Sequence, residues 1–190
     1  MHIILASRSP RRIELLKQID ISCTVMPADI DESVRADELA ADYVLRLAVE
    51  KAEAIRSSVG QADGQLILAA DTTVALDTHI LGKPEDDADA IRMLKKLSGT
   101  THQVHTAVAV SGYNRTQVLL NTTHVTMIPL TDAIIEAYIQ AGEHRDKAGS
   151  YGIQGLAGAW IQRIDGSYSG VMGLPLYETA QLLNKMKNTK

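Results

Sequence analysis

Two segments of the sequence combine residue types that bind phosphate with local structure that favours anions. Residues 7–12, Ser-Arg-Ser-Pro-Arg-Arg, follow a short apolar run and are expected at a strand-to-helix turn. Free N–H groups at a helix N-terminus attract anions, and guanidinium groups bind phosphate oxygens in pairs. Residues 146–155 are rich in glycine and include Gln154, whose amide can donate to and accept from a base edge. The alternatives are a helix cap with solvent-facing arginines and an ordinary surface loop.

Two further segments carry groups that could hold a metal, activate water or contact phosphate. Residues 29–32, Asp-Ile-Asp-Glu, form an acidic loop after a predicted strand, and Mg²⁺ prefers such oxygen ligands. Asp71 ends the apolar run 66–70, at the kind of strand end where α/β sheets bind ligands. An aspartate there can ligate a metal or accept a proton from water. Lys83 stands between a glycine and a proline, so its constrained backbone suits a phosphate contact. A solvated loop and a plain hairpin are the respective alternatives.

Several common catalytic motifs do not fit this sequence. Lys83 is not the lysine of a P-loop, because Asp77 stands where the first glycine should be and Pro84 where Ser or Thr should be. No His-Glu-x-x-His segment occurs, and the Gly-Ser-Tyr-Ser-Gly segment lacks serine at the centre of a nucleophile elbow. His102 and His105 could be metal ligands, but hydrogen-bonded strand or turn histidines are the favoured interpretation.

The elements that must position these residues alternate between strand and helix patterns. Strands are predicted at 3–6, 23–26, 66–70, 104–110 and 118–128, with a hairpin turn at 77–79, and residues 152–164 are expected to be rich in strand. Helices are predicted from Pro10 onward with Ser9 as the cap, and over 36–58, 86–97, 131–141 and 175–186. This alternation predicts an α/β fold with a mixed sheet.

Composition narrows the class of protein. The 190 residues fit one domain or two closely joined lobes, and 45% of them are hydrophobic, enough for a sizeable core. A net charge of −4 and a pI of about 5.8 argue against a general nucleic-acid or membrane-surface binder. Cys23 is the only cysteine, and no apolar segment approaches the length of a membrane span. We therefore expect a soluble cytoplasmic protein without nucleic-acid or membrane partners.

Together these segments resemble the Maf family of nucleotide pyrophosphatases. The motifs occur in family order over nearly the whole chain, so the resemblance covers 1–190 as a single domain, and the ordered set is more specific than any one motif. They are Leu-Ala-Ser-x-Ser-Pro-Arg-Arg at 5–12, Asp-Glu at 31–32, Leu-Ala-x-x-Lys-Ala at 47–52, Asp-Thr-x-Val at 71–74, Leu-Gly-Lys-Pro at 81–84, Leu-Ser-Gly-x-x-His-x-Val-x-Thr at 97–106, Asp-Lys-Ala-Gly-x-Tyr-x-Ile-Gln-Gly at 146–155 and Gly-Ser-Tyr-x-x-Val-x-Gly-Leu-Pro at 166–175.

The resemblance implies a fold similar to that of the inosine-triphosphate pyrophosphatases, with an elongated mixed sheet, flanking helices and two lobes around a cleft. It also implies a homodimer that uses Mg²⁺ or Mn²⁺ to hydrolyse a nucleoside triphosphate to the monophosphate and pyrophosphate. By the same resemblance, Asp71 is the catalytic proton acceptor, and Glu32 and Asp71 hold the metal. The residues implied in triphosphate binding are Ser7, Arg12, Lys51 and Lys83. Helical spacing alone would make Lys51 a solvent-facing charge.

Three residues match the branch of the family that acts on dTTP and UTP, namely Arg11, Thr72 and Gln154. The branch similar to 7-methyl-GTP pyrophosphatases usually has tyrosine in place of Arg11, and Gln154 can satisfy one carbonyl and the adjacent N–H of thymine or uracil. Two alternatives stay open: a pyrophosphatase for another base, such as 7-methyl-GTP, and a nucleotide-binding regulator of cell division without significant catalysis. Residues 142–145 read Gly-Glu-His-Arg, where the family often has proline after Gly-Glu. The absence of proline is expected to loosen this loop.

Overall fold

The computed structural model describes residues 1–60, 65–113 and 115–187, and a seven-stranded mixed sheet forms the centre of this part of the chain. The strands are β1 (His2–Leu5), β2 (Ser22–Val25), β3 (Ile67–Leu76), β4 (His79–Leu81), β5 (Thr101–Gly112), β6 (Arg115–Met127) and β7 (Ile161–Asp165). They are ordered β2-β1-β3-β5-β6-β7, and β4 pairs with β3. The mixed sheet confirms the predicted α/β class.

Helices cover the sheet. They are α1 (Pro10–Gln18), α2 (Ala40–Val59), α3 (Asp87–Leu97), α4 (Asp132–Ala141), α5 (Tyr168–Val171) and α6 (Leu176–Lys187), with 3-10 turns at Ala148–Ser150 and Leu156–Trp160. Pro10 opens α1, as predicted, and the Thr131 side chain caps α4 by accepting a hydrogen bond from the Ile134 N–H. Among the helices of the described residues, none combines the length and the hydropathy that crossing a bilayer requires.

Three apolar clusters hold these elements together. Successive side chains of a strand point to opposite faces of the sheet, so each face has its own cluster. Leu5 and Leu68 face α1 and α6 on one side, whereas Ile4 and Ala69 face α2 on the other. A third cluster surrounds Leu94 and joins α3 and α4 to the far part of the sheet. Helices α1 and α6 thus pack on the opposite face of the sheet from α2, and the predicted cleft is lined by residues of α1, α2 and β3.

One edge of β3 is shared by two partners, and the space between them opens this cleft. β1 runs parallel to β3 and pairs with Ile67 and Leu68, whereas β4 runs antiparallel and pairs with residues 74–76. Residues 69–73 lie between these two partners, while the other edge of β3 pairs continuously with β5. This stretch of β3 is therefore held firmly on one edge and open to a ligand on the other.

Two strand predictions were wrong in their limits. β3 does not end at Asp71 but continues to Leu76, because β5 pairs with it well beyond the apolar run. The apolar run is interrupted at residues 71–73, which are polar and line the cleft, and buried apolar residues resume at Val74. Residues 152–164 contain little strand, since most of them form turns and a 3-10 helix before β7 begins.

Two helix predictions also need correction. α2 begins at Ala40 rather than at residue 36, because an irregular loop over 26–39 precedes it. Ser9 occupies the N-cap position of α1, but its side chain makes no capping hydrogen bond. Instead the Ser7 hydroxyl, two residues earlier in the chain, accepts a hydrogen bond from the Ser9 N–H at 3.2 Å and stabilises the turn before the helix.

Candidate active site

A cleft of about 1100 Å³ opens beside β3, where residues 71–74 line it. Every site residue proposed from the sequence lines it: Ser7, Arg11, Arg12, Glu32, Lys51, Asp71, Thr72, Lys83 and Gln154. These residues come from six separate stretches of the chain, and the fold brings all of them to one place. The volume is near the upper end of the range usual for ligand pockets, so it can hold a nucleotide-sized molecule.

The floor of the cleft is a buried ion pair between a strand and a helix. Lys51 on α2 donates a hydrogen bond to Asp71 Oδ1 on β3 at 2.7 Å, and the two residues are 8% and 7% exposed. Lys51 follows Leu47 and precedes Ile55 by four residues, so it lies on the stripe of α2 that packs against the sheet. The expectation from helical spacing that Lys51 faces solvent is therefore wrong. Its apolar neighbours at i−4 and i+4 were the signal that could have corrected it.

The Asp71 carboxyl group has an environment that favours proton uptake. Burial raises its pKa above the ordinary value, Lys51 and Arg12 oppose that rise, and the nearby Glu32 carboxylate adds to it. A carboxylate with a raised pKa is a better proton acceptor than an ordinary aspartate, and it lies beside the open edge of β3. The arrangement can therefore remove a proton from a water molecule bound in the cleft.

Glu32 approaches the same lysine from the loop before α2. Its Oε1 atom lies 2.9 Å from Lys51 Nζ, and its side chain is 48% exposed. Lys51 thus bridges one buried carboxylate, on Asp71, and one that faces the open cleft. Within the described ranges, no group of three or more His, Cys, Asp or Glu side chains could hold a metal. Two converging carboxylates suit Mg²⁺, which usually takes one or two from the protein and the rest from water and substrate phosphates. The donor set therefore fits a divalent cation that binds together with a nucleotide.

Arg12 holds three other parts of the site together. Its Nε donates to the Gly173 carbonyl at 2.8 Å, one terminal nitrogen donates to Ser7 Oγ at 3.1 Å, and the other donates to Thr72 Oγ1 at 3.3 Å. The Thr72 hydroxyl also lies 3.0 Å from Thr106 Oγ1. A guanidinium fixed by three partners presents a charge in a defined position to an anion in the cleft.

Thr106, the last residue of the motif at 97–106, is a site-supporting residue to which the sequence assigned no role. It is fully buried on β5, directly opposite Thr72, and its hydroxyl donates to the Gly170 carbonyl at 2.8 Å. Cross-strand threonine pairs of this kind are recognisable only once the strand register is known. Thr106 therefore connects the Thr72 hydroxyl to the backbone of α5.

The rim of the cleft is exposed and carries Lys83 and Gln154. Lys83 follows β4, and the Gly82 carbonyl beside it accepts a hydrogen bond from the Gly149 N–H at 3.0 Å. Gly149 has φ +67°, and a Cβ there would lie 2.9 Å from a Val74 methyl group, so this close approach requires glycine. The two loops of the rim are thus joined through backbone atoms.

The two histidines considered as ligands have structural partners instead. His102 Nε2 lies 2.7 Å from the Tyr151 hydroxyl, and burial lowers the pKa of His102 to about 4. His105 Nδ1 lies 3.0 Å from Thr122 Oγ1. His102 is therefore neutral at pH 7 and helps attach the glycine-rich loop to β5.

Comparisons with known proteins identify relatives over nearly the whole chain. The family model for Maf-like proteins matches residues 2–186. A protein of Methylobacillus flagellatus named dTTP/UTP pyrophosphatase is 58% identical over 95% of this chain and 90% of its own length. A protein of the same name from Pseudoalteromonas atlantica is 52% identical over 97% and 96%. Among solved structures, the Ham1 protein of Staphylococcus aureus is 19% identical, with a TM-score of 0.49 over 67% of this chain and 72% of that one. The chain belongs to the family of Maf-like proteins.

Proposed function

We propose that this protein hydrolyses dTTP and UTP to the nucleoside monophosphate and pyrophosphate. The observation that carries the proposal is the buried Lys51–Asp71 pair at the floor of a cleft whose walls bear basic side chains. The names of the relatives support the substrates, since two that are 58% and 52% identical are both dTTP/UTP pyrophosphatases. A role in cleaning the nucleotide pool follows from this reaction.

Asp71 is the general base of the proposed mechanism. Its carboxylate takes a proton from a water molecule, and the water oxygen forms a bond to the α phosphorus. The bond from that phosphorus to the bridging oxygen breaks, and the electron pair leaves with pyrophosphate. Burial raises the pKa of Asp71, so its carboxylate is more basic than that of a solvent-exposed aspartate.

Cationic groups offset the charge that develops on the phosphates. Arg12, fixed by Ser7, Thr72 and Gly173, and Lys83 on the rim are placed to bind the triphosphate. A divalent cation, Mg²⁺ or Mn²⁺, held by Glu32 and Asp71 would add Lewis-acid neutralisation of the phosphate oxygens. Lys51 keeps the two carboxylates together at the floor.

Gln154 is the base-reading residue in this proposal, with Arg11 and Thr72 as further determinants of substrate choice. Its exposed amide lines the cleft and can pair with one carbonyl and the adjacent N–H of uracil or thymine. Uracil and thymine both offer that pattern, so one amide can bind either base.

The test is to incubate the protein with Mg²⁺ or Mn²⁺ and dTTP, UTP, CTP, GTP, 7-methyl-GTP or ITP, and to separate the products by chromatography. We expect monophosphate and pyrophosphate from dTTP and UTP. The same products from a purine nucleotide alone would keep the reaction and overturn the role of Gln154. Diphosphate with orthophosphate, or no turnover, would overturn the proposed reaction.

The homodimer and the cytoplasmic location belong to the same proposal. The homodimer is what the resemblance of the chain to its family implies, and the cytoplasmic location is inferred from its single cysteine. Light scattering on the purified protein measures the first, and fractionation of the source cells measures the second.

A further inference from the structure

The loop over 26–39 carries Glu32 but has almost no regular secondary structure. A loop of this length needs specific contacts if one of its side chains is to keep a fixed position. Its contacts come from one side of α2, the helix that also carries Lys51. Three α2 residues, Tyr43, Arg46 and Glu50, bind the loop between Glu32 and Glu38.

Arg46 is the centre of these contacts. Its Nε and one terminal nitrogen donate to the two carboxylate oxygens of Glu38 at 2.6 and 2.7 Å, and the other terminal nitrogen donates to Glu50 at 3.2 Å. The Arg46 and Glu38 side chains are only 12% and 9% exposed. The hydrogen bonds from Arg46 hold the pKa of Glu38 down at about 2, so this pair stays ionised at neutral pH. A two-pronged, shielded pair of this kind is unlike an ordinary surface ion pair.

Two hydrogen bonds from α2 reach the backbone at Glu32 and at the residue that follows it. The Tyr43 hydroxyl donates to the Glu32 carbonyl at 3.0 Å, and Arg46 donates to the Ser33 carbonyl at 3.0 Å. The Arg46 guanidinium also lies over the Tyr43 ring, 5.6 Å from its centre. The backbone carbonyls of Glu32 and of the next residue are therefore held by two residues of α2 that are about one helical turn apart.

We infer that Tyr43 and Arg46 are positioning residues that aim the Glu32 carboxylate at the floor of the cleft and thereby set the affinity of the site for a divalent cation. This inference rests on the proposed function, in which Glu32 is a metal ligand. Glu32 is half exposed, and its own side chain has one described partner, Lys51. The position of its carboxylate thus depends on how the loop backbone is held. Residues that orient a ligand in this way are commonly worth ~10–100-fold in metal affinity or activity.

Three variants separate this role from a general effect on folding. Tyr43→Phe removes the hydroxyl that binds the Glu32 carbonyl and keeps the ring. Arg46→Met removes the guanidinium and keeps much of the apolar stem. Arg35→Met is the matched control, because Arg35 lies on the same loop and pairs with Glu50, but its side chain is 66% exposed. A pair of that kind contributes little.

The quantity measured is the Kd for Mn²⁺, obtained from the electron paramagnetic resonance signal of free Mn²⁺. The measurement is made in the presence of a dTTP analogue with a non-hydrolysable α,β-methylene bridge. We expect the Kd for Mn²⁺ to rise ~10–100-fold in Arg46→Met and ~10-fold in Tyr43→Phe, and less than about 2-fold in Arg35→Met. In dTTP hydrolysis, kcat at saturating Mn²⁺ should stay close to wild type while the Mn²⁺ concentration for half-activation rises in parallel.

The outcomes distinguish this inference from the function on which it rests. If the wild-type protein hydrolyses dTTP with Mn²⁺ but Tyr43→Phe binds Mn²⁺ as tightly as wild type, the positioning role is wrong and the proposed function stands. A fall in kcat at saturating Mn²⁺ with an unchanged Kd would also overturn it. If the wild-type protein neither binds Mn²⁺ nor hydrolyses dTTP, the proposed function fails first. If circular dichroism shows that Arg46→Met does not fold, the Kd for Mn²⁺ of Tyr43→Phe alone tests the positioning role.

Discussion

The floor and the rim of the cleft are built in different ways. On the floor, Lys51 and Asp71 come from a helix and a strand, are 8% and 7% exposed, and lie in direct contact. On the rim, Lys83 and Gln154 come from loops and are exposed to solvent. Charges whose mutual geometry matters are thus held by packed elements, whereas groups that meet the ligand from outside are carried by loops. The residues proposed for catalysis are therefore held by packed secondary structure, and those proposed for substrate recognition are held by loops.

The largest expected effect is on the floor. Asp71→Asn keeps the shape of the side chain but removes the proposed proton acceptor. We expect kcat for dTTP to fall ~10²–10⁴-fold, the usual cost of losing a general base, while the nucleotide still binds. Single-turnover hydrolysis and binding of the α,β-methylene analogue measure the two quantities. Turnover close to wild type would remove Asp71 from the mechanism.

A second prediction concerns the ion pair of the floor. Lys51 lowers the pKa of Asp71 against the effect of burial, so Lys51→Met should raise that pKa further. A proton acceptor must be ionised, so the acid limb of the kcat/KM profile should move to higher pH. The folded protein then binds the Asp71 proton more tightly than the unfolded chain does. Stability therefore falls as the pH rises from the unfolded pKa towards the folded one.

Urea unfolding of Lys51→Met tests the same point. We expect a loss of about 3–5 kcal/mol at pH 8, where Asp71 would be a buried charge without its partner, and a smaller loss at pH 5. Lys83→Met is the matched control, because the same substitution on the exposed rim should change stability by less than about 0.5 kcal/mol. Equal losses of unfolding free energy in Lys51→Met and Lys83→Met would mean that the floor lysine is no more important for stability than the rim lysine.

The sequence predicted the members of this site better than it predicted their surroundings. Short motifs bring together residue types that suit phosphate and metal, and each of these residues does line the cleft. Lys51 was misplaced because a single charged residue in a helix is usually exposed, and only its burial between Leu47 and Ile55 shows otherwise. Asp71 was placed at a strand end because the apolar run stops there, although β5 extends the strand to Leu76.

Other supports could not be predicted because they depend on contacts between distant segments. The Arg46–Glu38 pair joins a helix to an irregular loop that has no periodic pattern. Thr106 acts on Thr72 only through the pairing of β5 with β3. Such contacts follow from strand register and loop path, which local propensity does not determine.

A third prediction moves to the rim. Gln154→Ala should lower the preference in kcat/KM for UTP over CTP by about 3–10-fold, as expected for one or two neutral hydrogen bonds. The kcat for UTP should fall far less than in Asp71→Asn, because the floor is untouched. Gln162→Ala, on an exposed position of β7 outside the cleft, is the control and should leave the ratio unchanged. A loss of kcat comparable with that of Asp71→Asn would contradict the separation of floor from rim.

The smallest expected effect tests how the rim itself is held. Glu143 Oε2 accepts a hydrogen bond from the Leu156 N–H at 3.0 Å, and a Cβ on Gly155 would lie only 1.9 Å from that oxygen. The Glu143 carboxylate thus lies against the turn that presents Gln154. Glu143→Ala should lower the UTP/CTP ratio by about 2–3-fold, less than Gln154→Ala, because it loosens the turn without removing the amide.

Glu143→Gln is the matched control for this last prediction. Its side-chain amide oxygen can still accept the Leu156 N–H, so the UTP/CTP ratio should remain near the wild-type value. If Glu143→Gln lowers the ratio as much as Glu143→Ala does, the negative charge matters and not the hydrogen bond to the turn. Charge would then link the rim to the electrostatics of the floor, and the two supports would be less separate than their geometry indicates.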